Sequence, residues 1–164
     1  MMELQRYWAL SEEKNWAALH ALLDEMRANA ATPDEIASEV AFRVSTLEKQ
    51  GRNNDALDLL RDRGHLFLSQ SHATQITARV LIKLGRERDA LQVMSGSPYE
   101  AEMSSCPMRA MDAKFFHAVL LAKSGDPSAK QCLEGIPDDY IQVTVDGDDL
   151  ITKSDVVALI DKHL

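Results

Sequence analysis

The chain has 164 residues, enough for one domain or a short repeat array with a real core, and its 45% hydrophobic and 27% charged residues are ordinary for a globular protein. Aromatic residues make up only 5% while Ala and Leu are plentiful, which points to helix, because sheets favour β-branched and aromatic side chains. The net charge of −8 repels phosphate backbones and anionic lipid headgroups, which argues against nucleic acid and membrane surfaces as partners.

The opening MMELQRYWALSEEK has no basic stretch followed by an apolar run, so no signal peptide is expected. No segment approaches the roughly 18 apolar residues that span a bilayer. The two cysteines, Cys106 and Cys132, are too few and too far apart for a CxxC motif or a disulfide framework. Free thiols in a reducing cytoplasm are the expectation. A turn at Lys14–Asn15 then precedes Trp16, Leu19, Leu22, Leu23 and Met26, which share one face of a predicted helix.

The next two segments nearly repeat each other. Ile36, Val40, Val44 and Leu47 form one helical stripe, and Ile76, Val80, Leu81 and Leu84 form another. Each stripe is broken by glycine, in the phrases GRNNDAL at 51–57 and GRERDAL at 85–91. Gly accepts the left-handed conformation that ends a helix. Asp55 and Asp89 then sit in the first turn of a following helix, where the dipole favours a negative charge. Ala56 and Ala90 supply a small side chain for close approach, and Leu57, Leu60, Leu91 and Met94 continue the buried stripe.

A fourth, weaker copy follows a loop predicted from Ser95 to Pro107. It turns at Gly125, places Pro127 in the first turn of a helix and continues through Ala129 and Leu133. The four turns are separated by 37, 34 and 40 residues. A 34-residue period with Gly closing the first helix and Ala early in the second resembles the tetratricopeptide repeat, on Gly51 with Ala56 and Gly85 with Ala90. The resemblance covers roughly residues 2–135, with two units clear and two degenerate. Arg43 and Thr77 depart from it where that family prefers Leu, and the Pro that often ends a unit is missing.

The last 29 residues change character, with seven Asp against two Lys from Ile136 to Leu164. Ile141, Val143 and Val145 alternate with Gln142 and Thr144, the period of a half-buried strand. Asp146-Gly147 is a strong hairpin-turn signal, with Leu150-Ile151 pairing back. Thr152 and Asp155 form a predicted capping box opening a final helix with Val156, Leu159 and Ile160 on one stripe. The expected fold is therefore mainly α: an α-α superhelix of about four tetratricopeptide-like hairpins over 1–135, with a β-hairpin and capping helix over 136–164 in the same compact domain.

The residues offer little chemistry. The acidic run Asp146, Asp148 and Asp149 fails the calcium-loop pattern, because Gly directly follows the first Asp and Val157 stands at the twelfth position. None of the five histidines has a second His or a Cys at metal-ligand spacing, and no phosphate loop, nucleophile elbow or zinc-protease motif occurs. No cofactor or metal is expected. A Cys-dependent enzyme, with Cys106 or Cys132 meeting His117 in space, is the remote alternative.

Stacked helix pairs leave one elongated concave face. The phase of the stripes lines it with Ser45, Glu48, His72, Gln75, Arg79, Ile82, Asp112, Phe115 and Val119, with Ile82, Phe115 and Val119 as apolar anchors or, equally, as core. The Lys and Asn of the family's carboxylate clamp are absent at the matching sites Ala41 and Ser45, Gln75 and Arg79, Phe115 and Val119, leaving Arg79 alone as an anion contact. By resemblance the chain is a cytoplasmic, non-enzymatic protein-interaction module, an adaptor or scaffold binding a peptide or helix of a partner protein. The alternative is a small acidic secretion chaperone or immunity-type protein that masks one cognate partner. The C-terminal hairpin also offers an edge for pairing with a second copy, a homo-oligomer.

Overall fold

A computed structural model describes residues 2–145, 147 and 149–163, and it is mainly helical, with a two-stranded antiparallel hairpin near the C-terminus followed by a helix. The chain divides into two compact units, 1–68 and 69–164.

The first unit contains α1 (Met2–Glu12), α2 (Trp16–Asn29), α3 (Pro33–Lys49) and α4 (Asn53–Arg63), closed by a single 3-10 turn over Gly64–Leu66. Tyr7, Leu19, Leu22 and Leu23 form its buried centre, with Leu10, Trp16, Met26 and Phe42 packed against them. The Tyr7 hydroxyl is satisfied inside this core, lying 3.2 Å from Thr46 Oγ1 and donating to the Phe42 carbonyl at 3.3 Å. The stripe Val40, Val44 and Leu47 is buried as its spacing requires, and Ala56 is fully enclosed where α4 meets α3. Entry into α3 is fixed by a capping box, in which Thr32 and Glu35 satisfy each other's backbone N–H behind Pro33 at the first helical position.

A buried carboxylate joins three of these helices. Glu39 has no exposure, and its two oxygens accept from Arg43 Nε at 2.5 Å and from an Arg63 guanidinium nitrogen at 2.7 Å. Arg43 also reaches Asp24 of α2 at 2.9 Å. Arg43 thus neutralises Glu39 one turn earlier on the same helix.

The second unit contains α5 (Gln70–Lys83), α6 (Glu87–Ser95), α7 (Tyr99–Glu102), α8 (Pro107–Lys123), α9 (Ala129–Cys132), β1 (Ile141–Val143), β2 (Leu150–Thr152) and α10 (Lys153–Lys162). The stretch 95–107, expected as a loop, carries the single-turn α7. The helix expected at Pro127 starts later and lasts one turn. Helix α8 is the hub: it touches α5, α6, α7, α9, β1 and α10, and it is apolar nearly all round, as a central helix must be. The α7 side chain Glu102 caps α5 from outside its own helix, accepting from Ser69 Oγ at 2.7 Å, Gln70 N at 2.8 Å and Ser71 N at 3.2 Å. Burial pushes this carboxyl up, but those donors and the Ser71 side chain outweigh it and hold it below the usual carboxylate range.

The C-terminal segment belongs to this unit's core. Leu133, Ile136 and Val156 cluster with Phe115, Ala118, Val119 and Ala122 of α8, and Thr152 and Asp155 form the expected capping box of α10. The hairpin forms with Val143 opposite Leu150, a register centred on 146 and 147; Asp146 and Asp148 of the predicted turn lie outside the described residues. Its facing is the reverse of what apolar burial favours. Ile141 and Val143 are 53% and 54% exposed, whereas Gln142 is half-buried and donates to the Asp112 carbonyl at 3.0 Å. The reason is the anchor on α8: the Tyr140 ring packs at a tilt against Phe115 and its hydroxyl donates to the Asp112 carboxylate, so Gln142 of β1 turns inward.

Four helix ends share one turn geometry. In each, a residue with positive φ donates its N–H to the carbonyl three residues back, and the next residue donates to the carbonyl five back. The left-handed residues are Lys14 (φ 52), Gly51 (φ 72), Gly85 (φ 72) and Gly125 (φ 74). This is the Schellman closure, which meets the orphan carbonyls of the first helix while starting the second.

Lys14 carries a Cβ where the other three turns have none. Gly85→Ala is expected to lower the unfolding free energy by about 1–2 kcal/mol, and Lys14→Gly to raise it by up to about 1 kcal/mol. Urea denaturation of both variants checks the pair, and shifts in the same direction would remove the turn as their cause. Glu39→Ala takes the carboxylate from the mostly enclosed Arg63 and leaves Arg43 with Asp24, and is expected to cost about 3–5 kcal/mol in the same measurement; a loss below about 1 kcal/mol would show that the cluster is replaceable by water.

Candidate functional site

The second unit holds a cleft of about 480 Å³ between the C-terminal half of α8, the α5–α6 turn and the hairpin. Phe116, Val119 and Leu120 of α8, Ile82 of α5 and Leu91 of α6 form its apolar lining, and residues 142–145 with Ile151 close it from the hairpin side. Glu87, Lys123 and Asp149 add charge at this site. The size and the apolar lining with a few polar groups are those of a ligand or peptide cleft. Lys153 fastens the base of the hairpin by donating to the Ile136 carbonyl at 2.6 Å and to Asp138 at 2.8 Å, alongside the Tyr140 and Gln142 anchors on Asp112. The wall of the cleft is thus attached at one end to α8 and α10.

The nine residues predicted to line a groove separate into three groups. Ile82 and Val119 do line the cleft. Asp112 and Phe115 share their α8 face with Val119 as the spacing requires, but the chain's own tail covers them. Phe115 is fully buried, the core position that its spacing equally allowed, with the Tyr140 ring packed against it. His72, Gln75 and Arg79 lie half-buried along one face of α5, and Ser45 and Glu48 lie half-buried on α3 of the first unit. The sequence reading missed Phe116, Leu120, Leu91 and the hairpin wall. Phe116, Leu120 and Lys123 follow helical spacing and were readable as a second stripe on α8; the hairpin's reversed facing carried no local signal.

A second cluster surrounds His117. The Tyr99 hydroxyl lies 2.8 Å from His117 Nδ1 and 3.7 Å from Cys132 Sγ, and the Cys132 thiol also faces the Lys114 carbonyl at 3.4 Å. Cys106 stands at the N-cap of α8. Burial is the first cause of every shift in this cluster. It pushes the Cys132 thiol and the Tyr99 phenol up and the His117 imidazole down. Each group therefore sits in its uncharged form near neutral pH, and a nucleophilic cysteine needs the thiolate.

Among the described residues no group of three His, Cys, Asp or Glu side chains is arranged to hold a metal ion, and no helix is long and apolar enough to cross a membrane. No family model, curated protein or solved structure matches this chain.

His72 gives the site's unit a pH dependence. Burial, then the positive charges of Arg109 and Arg79, push its imidazole from 6.5 down to about 4. Between those two values the unfolded chain binds a proton that the folded chain refuses. Stability from this group is therefore fully present above about 6.5 and falls as pH drops toward about 4, by on the order of 2 kcal/mol after allowing for its partial exposure. His72→Gln is expected to flatten that part of the stability profile in denaturant titrations between pH 7 and pH 4.5. An unchanged slope would show that the imidazole titrates normally in the folded protein.

Proposed function

We propose that this protein is a non-enzymatic, cytoplasmic interaction module, a tetratricopeptide-like adaptor or scaffold that holds a peptide or helix of a partner protein. The observation that carries the proposal is the cleft of about 480 Å³, walled by α8 and the hairpin and lined by Ile82, Leu91, Val119 and Leu120. An apolar floor with charge at its margin suits a protein segment, whose side chains bury area while its polar groups stay wet. The four equivalent turns, at Lys14, Gly51, Gly85 and Gly125, support the tetratricopeptide-like part of the reading. The uncharged Tyr99–His117–Cys132 cluster supports the non-enzymatic part, because burial holds the Cys132 thiol above its ordinary range and away from the thiolate that a nucleophile needs. A narrower version is a small acidic chaperone or immunity-type protein that masks one cognate partner, and the net charge of −8 favours it where that partner is basic.

The test compares the intact chain with Leu120→Arg as bait in extracts of the native host, after circular dichroism has shown that the variant is folded. Wild type is expected to retain one stoichiometric protein and the variant to lose roughly nine-tenths of it. Equal capture by the two, or no stoichiometric capture by wild type, would remove the cleft as the binding site.

A further inference from the structure

We propose that the cleft takes an extended, basic segment of the partner protein, added as a third strand along the free edge of β1. This rests on the interaction-module reading and specifies its occupant.

The backbone supplies the first argument. The Thr144 N–H donates to the Asp149 carbonyl at 2.9 Å and the Lys153 N–H to the Tyr140 carbonyl at 3.3 Å. With Gln142 opposite Ile151, these are the residues whose backbone groups face the other strand. In an antiparallel pair the intervening residues direct their N–H and C=O the opposite way. Ile141 and Val143 therefore present a row of backbone donors and acceptors along the outer edge of β1. Natural sheets protect such an edge with charged side chains such as Lys, with Pro, with a bulge or by keeping the strand very short, and β1 has only its shortness. Residues 141–145, Ile-Gln-Val-Thr-Val, contain neither Lys nor Pro.

The side chains supply the second. The reversed facing leaves Ile141, Val143 and Leu150 as a mostly exposed apolar strip on a hairpin that is only three residues long on each strand. A two-stranded sheet of that length is marginal, and a third strand would complete it. The cleft reaches β1, since residues 142–145 line it together with Asp149 and Ile151 of the β2 side. Alternate side chains of an added strand would then be offered to the floor at Val119 and Leu120.

Charge selects the occupant. Residues 136–164 carry seven Asp and two Lys, and one of those lysines, Lys153, is already engaged by Asp138 and the Ile136 carbonyl. Asp149 and Glu87 add negative charge at the cleft, against Lys123 alone. A basic segment gains from this field. A second copy of the chain would bring two acid-rich hairpins together, and like charges across an edge oppose that pairing.

The experiment measures fluorescence anisotropy of three labelled ten-residue peptides with the full chain: one alternating Lys with Val, its Glu counterpart, and the Lys peptide N-methylated at alternate amides. The Lys peptide is expected to bind, more weakly as salt is raised. N-methylation and the Val143→Pro variant, which removes an outward N–H without touching the ladder to β2, are each expected to weaken it roughly tenfold or more. Should Val143→Pro fail to fold, hydrogen exchange on the wild type decides, because the Ile141 and Val143 amides should exchange freely alone and become protected with the Lys peptide. Equal binding of the Lys and Glu peptides, or indifference to N-methylation, would overturn the proposal. So would a dimer in analytical ultracentrifugation that Ile141→Lys with Val143→Lys dissociates, which would give the edge to a second copy. If the Lys peptide does not bind while Leu120→Arg still abolishes capture of the native partner, the strand proposal falls and the interaction-module reading stands. If both fail, both fall.

Discussion

The fold depends first on a backbone constraint: a helix in this chain ends by placing one residue in the left-handed region, so that two N–H groups reach back to carbonyls that would otherwise be orphaned. The arrangement recurs at Lys14, Gly51, Gly85 and Gly125 with the same pair of hydrogen bonds. It reverses the chain within two or three residues, and only then can the stripe of one helix meet that of the next. Ala56 and Ala90, both fully buried a few residues beyond the turn, show how closely the second helix is held. Lys14 makes the same turn with a Cβ, which indicates that the hydrogen bonding sets the geometry and that Gly only lowers its strain.

Ionised groups then organise what apolar packing leaves loose. Glu39 is withdrawn from water, and its cost is offset by two guanidinium groups from α3 and α4, with Asp24 of α2 beyond them. Such a cluster contributes less net stability than a well-packed apolar replacement would, but it admits few arrangements of the three helices. Glu102 does similar work in the second unit. It places a carboxylate at the positive end of α5 from a different element, which ties the connecting segment between α6 and α8 to the start of α5.

Helix α8 links fold to site. One of its faces receives the tail, through Asp112 and Phe115, while its last turns stay open to the cleft at Leu120 and Lys123. The C-terminal segment thus both completes the core and builds a wall of the cleft. Its hairpin turns polar Gln142 inward and apolar Val143 outward, the opposite of what a solvated hairpin would favour. That inversion leaves apolar surface exposed in an acidic neighbourhood, the combination on which the proposed recognition is built.

The features legible in the sequence were those set within a few residues. Glycine turns at Gly51 and Gly85, the stripes Val40–Val44–Leu47 and Ile76–Val80–Leu81, and the Thr152–Asp155 cap follow from local hydrogen bonding and helical period, which do not need distant partners. The Thr32–Glu35 cap with Pro33 was readable by the same rule. Tertiary structure alone decided which face of the hairpin points inward, that Tyr140 rather than a partner covers Phe115, and that Glu39 can be buried at all. Strand alternation specifies two faces but not which is buried; that choice belongs to whatever anchors the strand, here an Asp112 lying 28 and 30 positions before Tyr140 and Gln142. A buried carboxylate likewise depends on a charge brought from afar, since Arg63 lies 24 residues beyond Glu39 and meets it only once α4 has folded back on α3.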